Sequence, residues 1–323
     1  MARPTTPTTL RTAAKPASGS TPKAMTAPAV APRVRRGRRV PPTLAIGVDV
    51  GGSGIKAALV DVATGRLLTT RIRVPTPSPS SPAAIGRTIG RLVKRTLASA
   101  AAGSPADATV AGAGAATAAR EPIDAKLLEK VPVGVGMPSV VVDGVTRSAA
   151  NIDAGWVDYD ADAALTKALG RRVVMINDAD AAGLAEMRFG AGVGQSGVVF
   201  VLTLGTGVGS GMFNDGKLVP NTELGHMEIR GRDAERRSAS SAKVRRGLSW
   251  KAWAQDLDEH LLAIEKLFSP KLIILGGGVS KSADKFINRL TVRVPVVPAQ
   301  LRNDAGIVGA AMAAAERGGR AGS

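Results

Sequence analysis

Three chemically active side chains, Asp49, Ser53 and Lys56, surround one glycine-rich turn near the start of the sequence. Alternating apolar residues at 44–50 lead into this turn at 51–54, and a second apolar run follows at once, which predicts a strand-turn-strand hairpin. The glycines allow backbone N–H groups to come close to a ligand. A carboxylate, a hydroxyl and an ammonium around one bend fit a metal-bound phosphate. A hairpin whose glycines serve only the turn is the alternative.

Two later apolar strands also end in glycine-rich turns. The run at 198–204 leads into a turn that begins Gly205-Thr206-Gly207, and the run at 271–275 leads into three glycines that begin at Gly276. None of these turns has the Walker A pattern or the Gly-x-Gly-x-x-Gly pattern. We therefore expect phosphate to be held by turn N–H groups, by helix N-termini and by the hydroxyls of Ser53 and Thr206.

A polar cluster follows the short apolar run at 173–176, where a helix is expected to begin. Open α/β sheets place ligands at such strand ends. Asp178 is the candidate base that takes a proton from an acceptor hydroxyl, and Asn177 beside it can hydrogen-bond to a polyol. Glu223 and His226, three residues apart, can present two further groups to sugar hydroxyls. A polar pocket of this kind discriminates well, because a missing hydroxyl leaves a buried group unpaired.

The same residues also allow purely structural interpretations. Asp178 could serve only as the N-cap of the following helix. His226 could be a hydrogen-bonded core histidine, and His260 is expected on the surface of a helix. Asp180 fits a structural role better than a catalytic one.

The pattern around these residues alternates strands with amphipathic helices, which predicts an α/β architecture. Further strands are expected at 66–74, 131–137, 173–176, 198–204 and 271–275, with a hairpin edge at 140–145. Helices are expected at 85–97, 160–169, 179–189 and 250–268. An Ala-rich helix at 307–315 is expected to pack back on the first domain.

Composition excludes several classes of protein. The 323-residue chain has no cysteine and two histidines, which excludes a disulfide framework, a thiolate zinc site and a His-rich metal centre. No apolar run reaches the roughly 20 residues of a membrane span, and no apolar signal-peptide core follows the N-terminus, so a cytoplasmic protein without a membrane partner is expected.

The formal net charge of +17 has two sources. Residues 1–42 hold nine basic residues and no acidic ones and are rich in Pro, Thr and Ala, which predicts a disordered basic tail. The rest of the chain still carries 34 basic against 26 acidic residues, which implies an anionic partner.

Five motifs of the sequence resemble, in order and spacing, those of the ROK sugar kinases of the actin-like ATPase superfamily. They are Asp49-x-Gly-Gly-Ser-x-x-Lys56, Asn177-Asp178-Ala-Asp180, Leu204-Gly-Thr-Gly-x-Gly209, Glu223-Leu-Gly-His226 and Leu275-Gly-Gly-Gly278. The resemblance implies a ribonuclease H-like fold in which two α/β domains close on a cleft. It places a small domain at 44–150 plus 303–317 and a large domain at 151–302.

The segment after the Glu-x-Gly-His motif narrows the resemblance. Most ROK kinases carry a Cys-rich zinc motif there, whereas the stretch 231–243 contains no cysteine. That difference, together with Leu-Phe-Ser-Pro270 and Val-Pro-Ala-Gln300, is similar to the actinobacterial polyphosphate glucokinases. The resemblance implies phosphorylation of the 6-hydroxyl of glucose, and in some members of mannose, by polyphosphate or ATP with Mg²⁺ and without zinc. It also implies a homodimer, because ROK kinases are commonly dimers.

The resemblance assigns a role to each motif residue. Asp178 is the general base, and the sugar-binding residues are Asn177, Glu223, His226 and Ser139, the last in a turn where family members usually have Pro-Gly. Phosphate and metal are handled by Asp49, Gly51, Gly52, Thr206 and Gly207, with Asp49 as the metal ligand, Ser53 and Lys56 beside them, and Gly276 and Gly277 near the adenosine of ATP.

The basic segment 230–246 has two interpretations. Runs of charge are usually solvated surface, yet a polymer of phosphates needs a cationic track. The candidates for such a track are Arg236, Arg237, Lys243 and Arg245.

Other functions remain open from the sequence. A strictly ATP-dependent ROK hexokinase or fructokinase would use the same motifs. A ROK-type sugar-responsive DNA-binding regulator would need an N-terminal helix-turn-helix. Residues 1–42 are too short and too rich in proline to form one, so no specific nucleic-acid partner is expected. A filament-forming actin-like protein would not need the sugar residues Glu223 and His226.

Overall fold

The computed structural model describes residues 43–103, 121–149 and 152–320. The basic segment 1–42, expected from its composition to be a disordered tail, lies outside the described residues. Among the described residues, none of the helices combines the length and the apolarity needed to cross a membrane.

Strands and helices alternate along the described chain, and the α/β class predicted from the sequence is confirmed. The strands are β1 (Leu44–Gly51), β2 (Gly54–Asp61), β3 (Arg66–Leu67), β4 (Ile72–Val74), β5 (Val133–Met137), β6 (Val141–Val142), β7 (Val145–Thr146), β8 (Tyr159–Asp160), β9 (Val173–Asn177), β10 (Val198–Leu204), β11 (Val208–Asn214), β12 (Lys217–Val219), β13 (Glu228–Ile229), β14 (Arg232–Asp233), β15 (Leu272–Gly276) and β16 (Val296–Pro298). The α-helices are α1 (Pro82–Ala101), α2 (Ala125–Glu129), α3 (Ala161–Leu169), α4 (Asp178–Phe189), α5 (Glu235–Ser238), α6 (Ser240–Arg245), α7 (Trp250–Phe268) and α8 (Ala305–Arg320).

The first sheet has the strand order β3-β2-β1-β5-β9, with β4 also paired to β2. Strands β1 and β2 form the predicted hairpin, antiparallel from the pair Leu44–Asp61 to the pair Gly51–Gly54. Strand β5 runs parallel to β1, and β9 runs parallel to β5. Parallel strands end at the same edge of a sheet, so the turn after β1 and the polar residues after β9 lie on one side of the molecule.

The single strand expected at 66–74 is two short strands, β3 and β4, and both pair with β2. Thr69 lies between them and is fully buried. Its hydroxyl accepts the hydrogen bond of the Leu59 N–H at 3.1 Å, at a point where a strand carbonyl would otherwise accept it. The buried hydroxyl of Thr69 therefore provides the hydrogen-bond acceptor that β2 needs at the point where the chain between β3 and β4 leaves the sheet.

The second sheet has the order β12-β11-β10-β15-β16 and repeats the plan of the first. Strands β10 and β11 form an antiparallel hairpin, and β15 runs parallel to β10. Thr203 near the end of β10 pairs with Gly276 at the end of β15, so the second and third glycine-rich turns are neighbours. Two small sheets, β6-β7-β8 and β13-β14, lie outside these two large ones.

Helix α8 packs against β1, β5 and α4, as expected for a terminal helix that returns to the first sheet. The approach is close enough to require glycine. A Cβ added at Gly47 would lie 1.8 Å from the carbonyl oxygen of Ile307, and one at Gly134 would lie 1.7 Å from that of Ala310. The division into domains at 44–150 plus 303–317 and at 151–302 stays a prediction.

Candidate active site

A cleft of about 750 Å³ collects most of the residues predicted to bind sugar and phosphate. Its walls come from the first glycine turn, the loop after β5, the junction of β9 and α4, the turn between β10 and β11, and the segment 223–235. The predicted residues that line it are Gly52, Ser53, Ser139, Asn177, Asp178, Thr206, Gly207, Glu223 and His226.

A narrower cavity of about 150 Å³ shares Asp178 and Thr203 with the cleft. The other predicted residues that line it are Asp49, Lys56, Gly276 and Gly277. Gly51 lines neither space, and its carbonyl accepts a hydrogen bond from Thr76 Oγ1 at 2.5 Å.

Asp178 lies where the two spaces meet, as the first residue of α4. Burial raises the pKa of its carboxyl group to about 7, and the negative charge of Asp49 adds to the effect. A carboxylate with a pKa near neutrality is suited to accept a proton from a hydroxyl.

The N-cap of α4 is Asn177 and not Asp178, so the capping interpretation of Asp178 is wrong. Asn177 Oδ1 accepts hydrogen bonds from the N–H groups of Ala179 and Asp180, at 2.9 and 3.0 Å. Its Nδ2 donates to the carbonyl of Ser139 at 3.2 Å. An amide nitrogen carries two hydrogens, so one donor of Asn177 is left for a ligand in the cleft.

Ser139 holds the loop after β5 together. Its hydroxyl donates to the carbonyl of Ser148 at 2.7 Å, and Ser148 Oγ accepts from the Val140 N–H at 2.9 Å. Ser139 Oγ also accepts from the Ser148 N–H at 3.4 Å. Because the hydroxyl hydrogen and one lone pair are used inside the loop, this side chain can offer a sugar only its remaining lone pair.

Glu223 and His226 lie at the two ends of one short 3₁₀ turn at 224–226. Burial raises the pKa of the Glu223 carboxyl group, while His226 opposes the shift. The Nε2 atom of His226 is 4.0 Å from Glu223 Oε2, and its Nδ1 atom is 3.3 Å from Asp233 Oδ2. Both side chains are therefore grouped on one wall of the cleft, as expected.

Two acidic residues near His226, Asp233 and Glu235, have no role in the sequence-based prediction. Glu235 lines the cleft, and its Oε2 accepts a hydrogen bond from the Val208 N–H at 2.9 Å. His226, Asp233 and Glu235 each bring one possible ligand atom to within 4.8 Å of the others. In the sequence these two acids stand out only as the negative charges within the basic segment 230–246, and Asp233 lies seven residues after His226.

His260 is buried, contrary to the expectation of a helix-surface residue. Its Nε2 faces the carbonyl of Leu224 at 3.0 Å, and its Nδ1 lies 2.9 Å from Ser238 Oγ. Since a carbonyl can only accept, Nε2 carries the hydrogen. Burial lowers the pKa of the imidazole to about 4, so the ring is neutral near pH 7. His260 therefore supports the turn that carries Glu223 and His226.

The narrow cavity is lined by an ion pair and by a turn that requires glycine. Lys56 Nζ lies 2.8 Å from Asp49 Oδ2. Gly277 has a φ of 81°, and a Cβ there would lie 2.4 Å from the carbonyl oxygen of Leu204. Only glycine fits at that position, which keeps the third glycine turn against the second.

A basic pocket of about 670 Å³ shares Thr206 and Glu235 with the cleft. Of the four predicted polyphosphate residues, Arg236 and Arg245 line it and form no ion pair with another described residue. Arg245 Nη2 donates a hydrogen bond to the carbonyl of Arg236 at 3.1 Å. Arg237 also lines it but pairs with Asp256 and, at 2.7 Å, with Glu259. Lys243 does not line the pocket, and its ammonium lies over the ring of Trp250, 4.3 Å from the centroid.

The basic pocket is also lined by two cations that the sequence-based prediction did not select, Arg232 and Arg246. Arg232 is exposed there. Arg246 lines it too and is paired with Asp256 at 2.5 Å.

Comparison with known proteins places the chain in a family. A model described as the ROK family matches residues 117–242. A polyphosphate glucokinase of Mycobacterium tuberculosis is 44% identical over 268 residues, which cover 83% of this chain and 89% of the relative. A polyphosphate glucokinase of Mycobacterium leprae is 43% identical, with 83% of this chain and 73% of the relative covered.

Solved structures that are similar to this chain belong to kinases of the same kind. The inorganic polyphosphate/ATP-glucomannokinase of Arthrobacter sp. strain KM has a TM-score of 0.74 and 46% identity, covering 85% of this chain and 99% of its own. A ROK family glucokinase of Streptomyces griseus, solved with glucose and AMPPNP, has a TM-score of 0.65 and 26% identity, covering 84% of this chain and 99% of its own. The actin-like ATPase fold predicted from the sequence is confirmed. The motifs, the two sheets and the extent of identity together show that the chain belongs to the ROK family.

Proposed function

We propose that this chain transfers a phosphoryl group from inorganic polyphosphate or ATP to the 6-hydroxyl of glucose. The observation that carries the proposal is the position of Asp178, which lines both the wide cleft and the narrow cavity that holds Asp49 and Lys56. A base at that junction meets a hydroxyl on one side and a phosphoryl group on the other. The name of the mycobacterial relatives, polyphosphate glucokinase, supports the same reaction.

Asp178 acts as the general base. The 6-hydroxyl of glucose gives its proton to the carboxylate while its oxygen attacks the terminal phosphorus, and the bond to the bridging oxygen breaks with the donor as leaving group. The pKa of about 7 lets the carboxylate be free of a proton at neutral pH and still accept one during the step.

The hexose lies between the loop after β5 and the 3₁₀ turn at 224–226. Asn177 donates its remaining amide hydrogen to one sugar hydroxyl. Glu223 accepts hydrogen bonds from others, and His226 adds a ring nitrogen on the same wall. Mannose is proposed as a second substrate, supported by the name of the Arthrobacter enzyme, glucomannokinase. The chain is also proposed to form a homodimer, because ROK kinases are commonly dimers.

The donor phosphates lie along the glycine turns, with Lys56 as the nearby cation. Asp49 would hold Mg²⁺, since this ion is typically bound through one or two carboxylates together with substrate phosphates. The Asp49 side chain is 16% exposed in the narrow cavity, so its oxygens fit that role. When bound, the ion neutralises charge on the phosphate oxygens.

The basic pocket is proposed to carry the rest of a polyphosphate chain. It opens from Thr206, which also lines the cleft, so a polymer whose end lies in the cleft can continue into it. Three of the cations that line this pocket form no ion pair with another described residue, namely Arg232, Arg236 and Arg245. We assign the polymer contact to these three, in place of Arg237 and Lys243.

The test is formation of glucose 6-phosphate from glucose and Mg²⁺ with either long-chain polyphosphate or ATP. Turnover with both donors is expected. Asp178→Asn should lower kcat by ~10²- to 10⁴-fold, the usual range for a general base. Asp158→Asn is the matched control, because Asp158 is an exposed residue that pairs with Arg147 at the surface.

The outcomes separate the candidate functions. Turnover with ATP alone would leave the strictly ATP-dependent kinase. Absence of turnover with either donor would overturn the sugar assignment, and equal losses in the two Asp→Asn variants would overturn the role of Asp178.

A further inference from the structure

Asn221 has a left-handed backbone and joins three separate parts of the chain. Its φ is 60°, a conformation that Asn adopts more readily than most other residues with a side chain. Its N–H donates to Asp180 Oδ2 at 2.8 Å, which ties the residue to the first turn of α4. Glu223, on the wall of the cleft, follows two residues later.

The side chain of Asn221 pairs with the backbone of Val141 through two hydrogen bonds. Asn221 Nδ2 donates to the Val141 carbonyl at 2.9 Å, and the Val141 N–H donates to Asn221 Oδ1 at 2.9 Å. Val141 begins β6, and among the described strands β7 is the one that pairs with it. The amide of Asn221 therefore takes the place of a neighbouring strand on the open edge of β6.

This pairing connects opposite walls of the cleft. The β6–β7 hairpin is flanked by Ser139 and Ser148, which line one wall. Glu223 lies on the other, on a segment held to β11 by the hydrogen bond from Thr222 Oγ1 to the Ser210 carbonyl at 2.9 Å. In the described part of the chain, the two bonds of Asn221 are the side-chain hydrogen bonds that join the hairpin to the segment 219–226.

We infer that Asn221 is a positioning residue that sets the separation between the hairpin and the Glu223 turn, and with it the width of the hexose pocket. The inference rests on the proposed function, because it takes the hexose to lie between these walls. Asn177 connects the loop before the hairpin to α4 through the Ser139 carbonyl. Asn221 connects the hairpin itself to the segment that carries Glu223. A hexose needs both walls at hydrogen-bonding distance, and a misplacement of about 1 Å can cost ~100-fold.

Asn221→Gly is the variant that isolates the side chain. Glycine accepts a positive φ without steric cost and keeps the backbone N–H that reaches Asp180, so only the two bonds to Val141 are lost. Asn214→Gly is the matched control, because Asn214 is exposed at the end of β11 and away from the cleft.

Two readouts are needed, namely steady-state kinetics with each substrate varied and hydrogen exchange of the peptide that contains Val141. In Asn221→Gly we expect the KM for glucose to rise by ~10-fold or more, with the KM for ATP within about twofold of wild type. The Val141 amide should exchange faster, because its acceptor is gone. Asn214→Gly should show neither change.

Three results would overturn the inference. They are unchanged protection of the Val141 peptide, lost protection with an unchanged KM for glucose, and an equal rise in the KM of glucose and ATP with a large fall in Tm, which marks a purely structural role. Absence of hexose turnover in the wild type would instead refute the proposed function. The exchange experiment would then still report whether the Asn221–Val141 pairing exists.

Discussion

Lys56 Nζ donates a hydrogen bond to Asp49 Oδ2 over 2.8 Å, and the two residues are direct partners across the β1–β2 hairpin. Both side chains line the narrow cavity that also contains Asp178. The hairpin thus holds a carboxylate and an ammonium in fixed positions before any ligand arrives. Side chains held in this way lose little freedom when phosphate binds, which is the arrangement that electrostatic stabilisation requires.

Lys56→Met is expected to lower kcat/KM for both ATP and polyphosphate by ~10- to 100-fold, because the transferred phosphoryl group loses its nearby cation. The KM for glucose should stay within about twofold, since Lys56 does not line the wide cleft. Lys56→Arg keeps the charge and should lose less than Lys56→Met. Equal losses in the two variants would show that shape, and not charge, is what Lys56 supplies.

The activity is expected to rise with pH up to neutrality and then level off. The pKa of Asp178 lies well above its ordinary value of 3.8, at about 7, so below that pH the base is protonated and inactive. Each pH unit below about 7 should lower kcat/KM for glucose up to tenfold. A profile measured from pH 5.5 to 8.5 tests this, and a flat profile over that range would contradict it.

The titration of Asp180 is expected to lower the free energy of unfolding as the pH rises. The residue is 1% exposed, and burial raises the pKa of its carboxyl group from 3.8 to about 7. The folded chain therefore keeps a proton that the unfolded chain releases near pH 4, and this stabilisation is lost as the pH rises through about 7. The effect is at most a few kcal/mol.

Asp180→Asn removes this titration while its side-chain oxygen can still accept from the Asn221 N–H. Thermal unfolding at pH 5 and pH 8 should show a smaller loss of Tm with rising pH in the variant than in the wild type. Because Asp178 acts in the same direction in both proteins, the difference between variant and wild type is the quantity to compare. Parallel curves would mean that Asp180 does not titrate between these pH values.

Much of the framework of the site could be predicted from the sequence. The run at 198–204 and the helix at 250–268 have the predicted bounds as β10 and α7. Both follow from local physics, because a strand covered on both faces is continuously apolar and a helix that buries one face repeats apolar residues every three or four positions. The glycine-rich turns could also be predicted from the local sequence, because glycines directly follow the apolar strand runs.

The partners of the polar residues could not be predicted, and helix α7 shows why. Its Asp256, Asp258 and His260 are buried, and they bind Arg237, Arg246, Thr291 and Ser238 from outside the helix. Asp256 and His260 share one face, and Asp258 lies about 200° around the helix from them. Apolar periodicity identifies the hydrophobic positions and gives no information about polar positions that are covered by hydrogen-bonded segments. His260 was therefore misplaced on the surface.

The basic pocket makes a prediction about polymer length. Arg232 and Arg236 are exposed and line it, while Arg237 is held by Asp256 and Glu259. Replacing both Arg232 and Arg236 by Ala should raise the KM for long-chain polyphosphate by ~5- to 30-fold, as expected for two contacts worth about 0.5–1 kcal/mol each. The KM for ATP should stay within about twofold, because ATP has no further phosphates to reach the pocket.

Chain length and salt separate this track from a general effect of charge. With tripolyphosphate the Arg232→Ala/Arg236→Ala variant should behave like the wild type, and with long chains its KM should depend less on salt, because fewer ions are displaced. Lys94→Ala/Arg95→Ala removes the same charge from the exposed face of α1 and is the matched control. If that control raises the KM for long-chain polyphosphate as much, the net charge of the protein attracts the polymer and the pocket beside Thr206 has no special part in its binding.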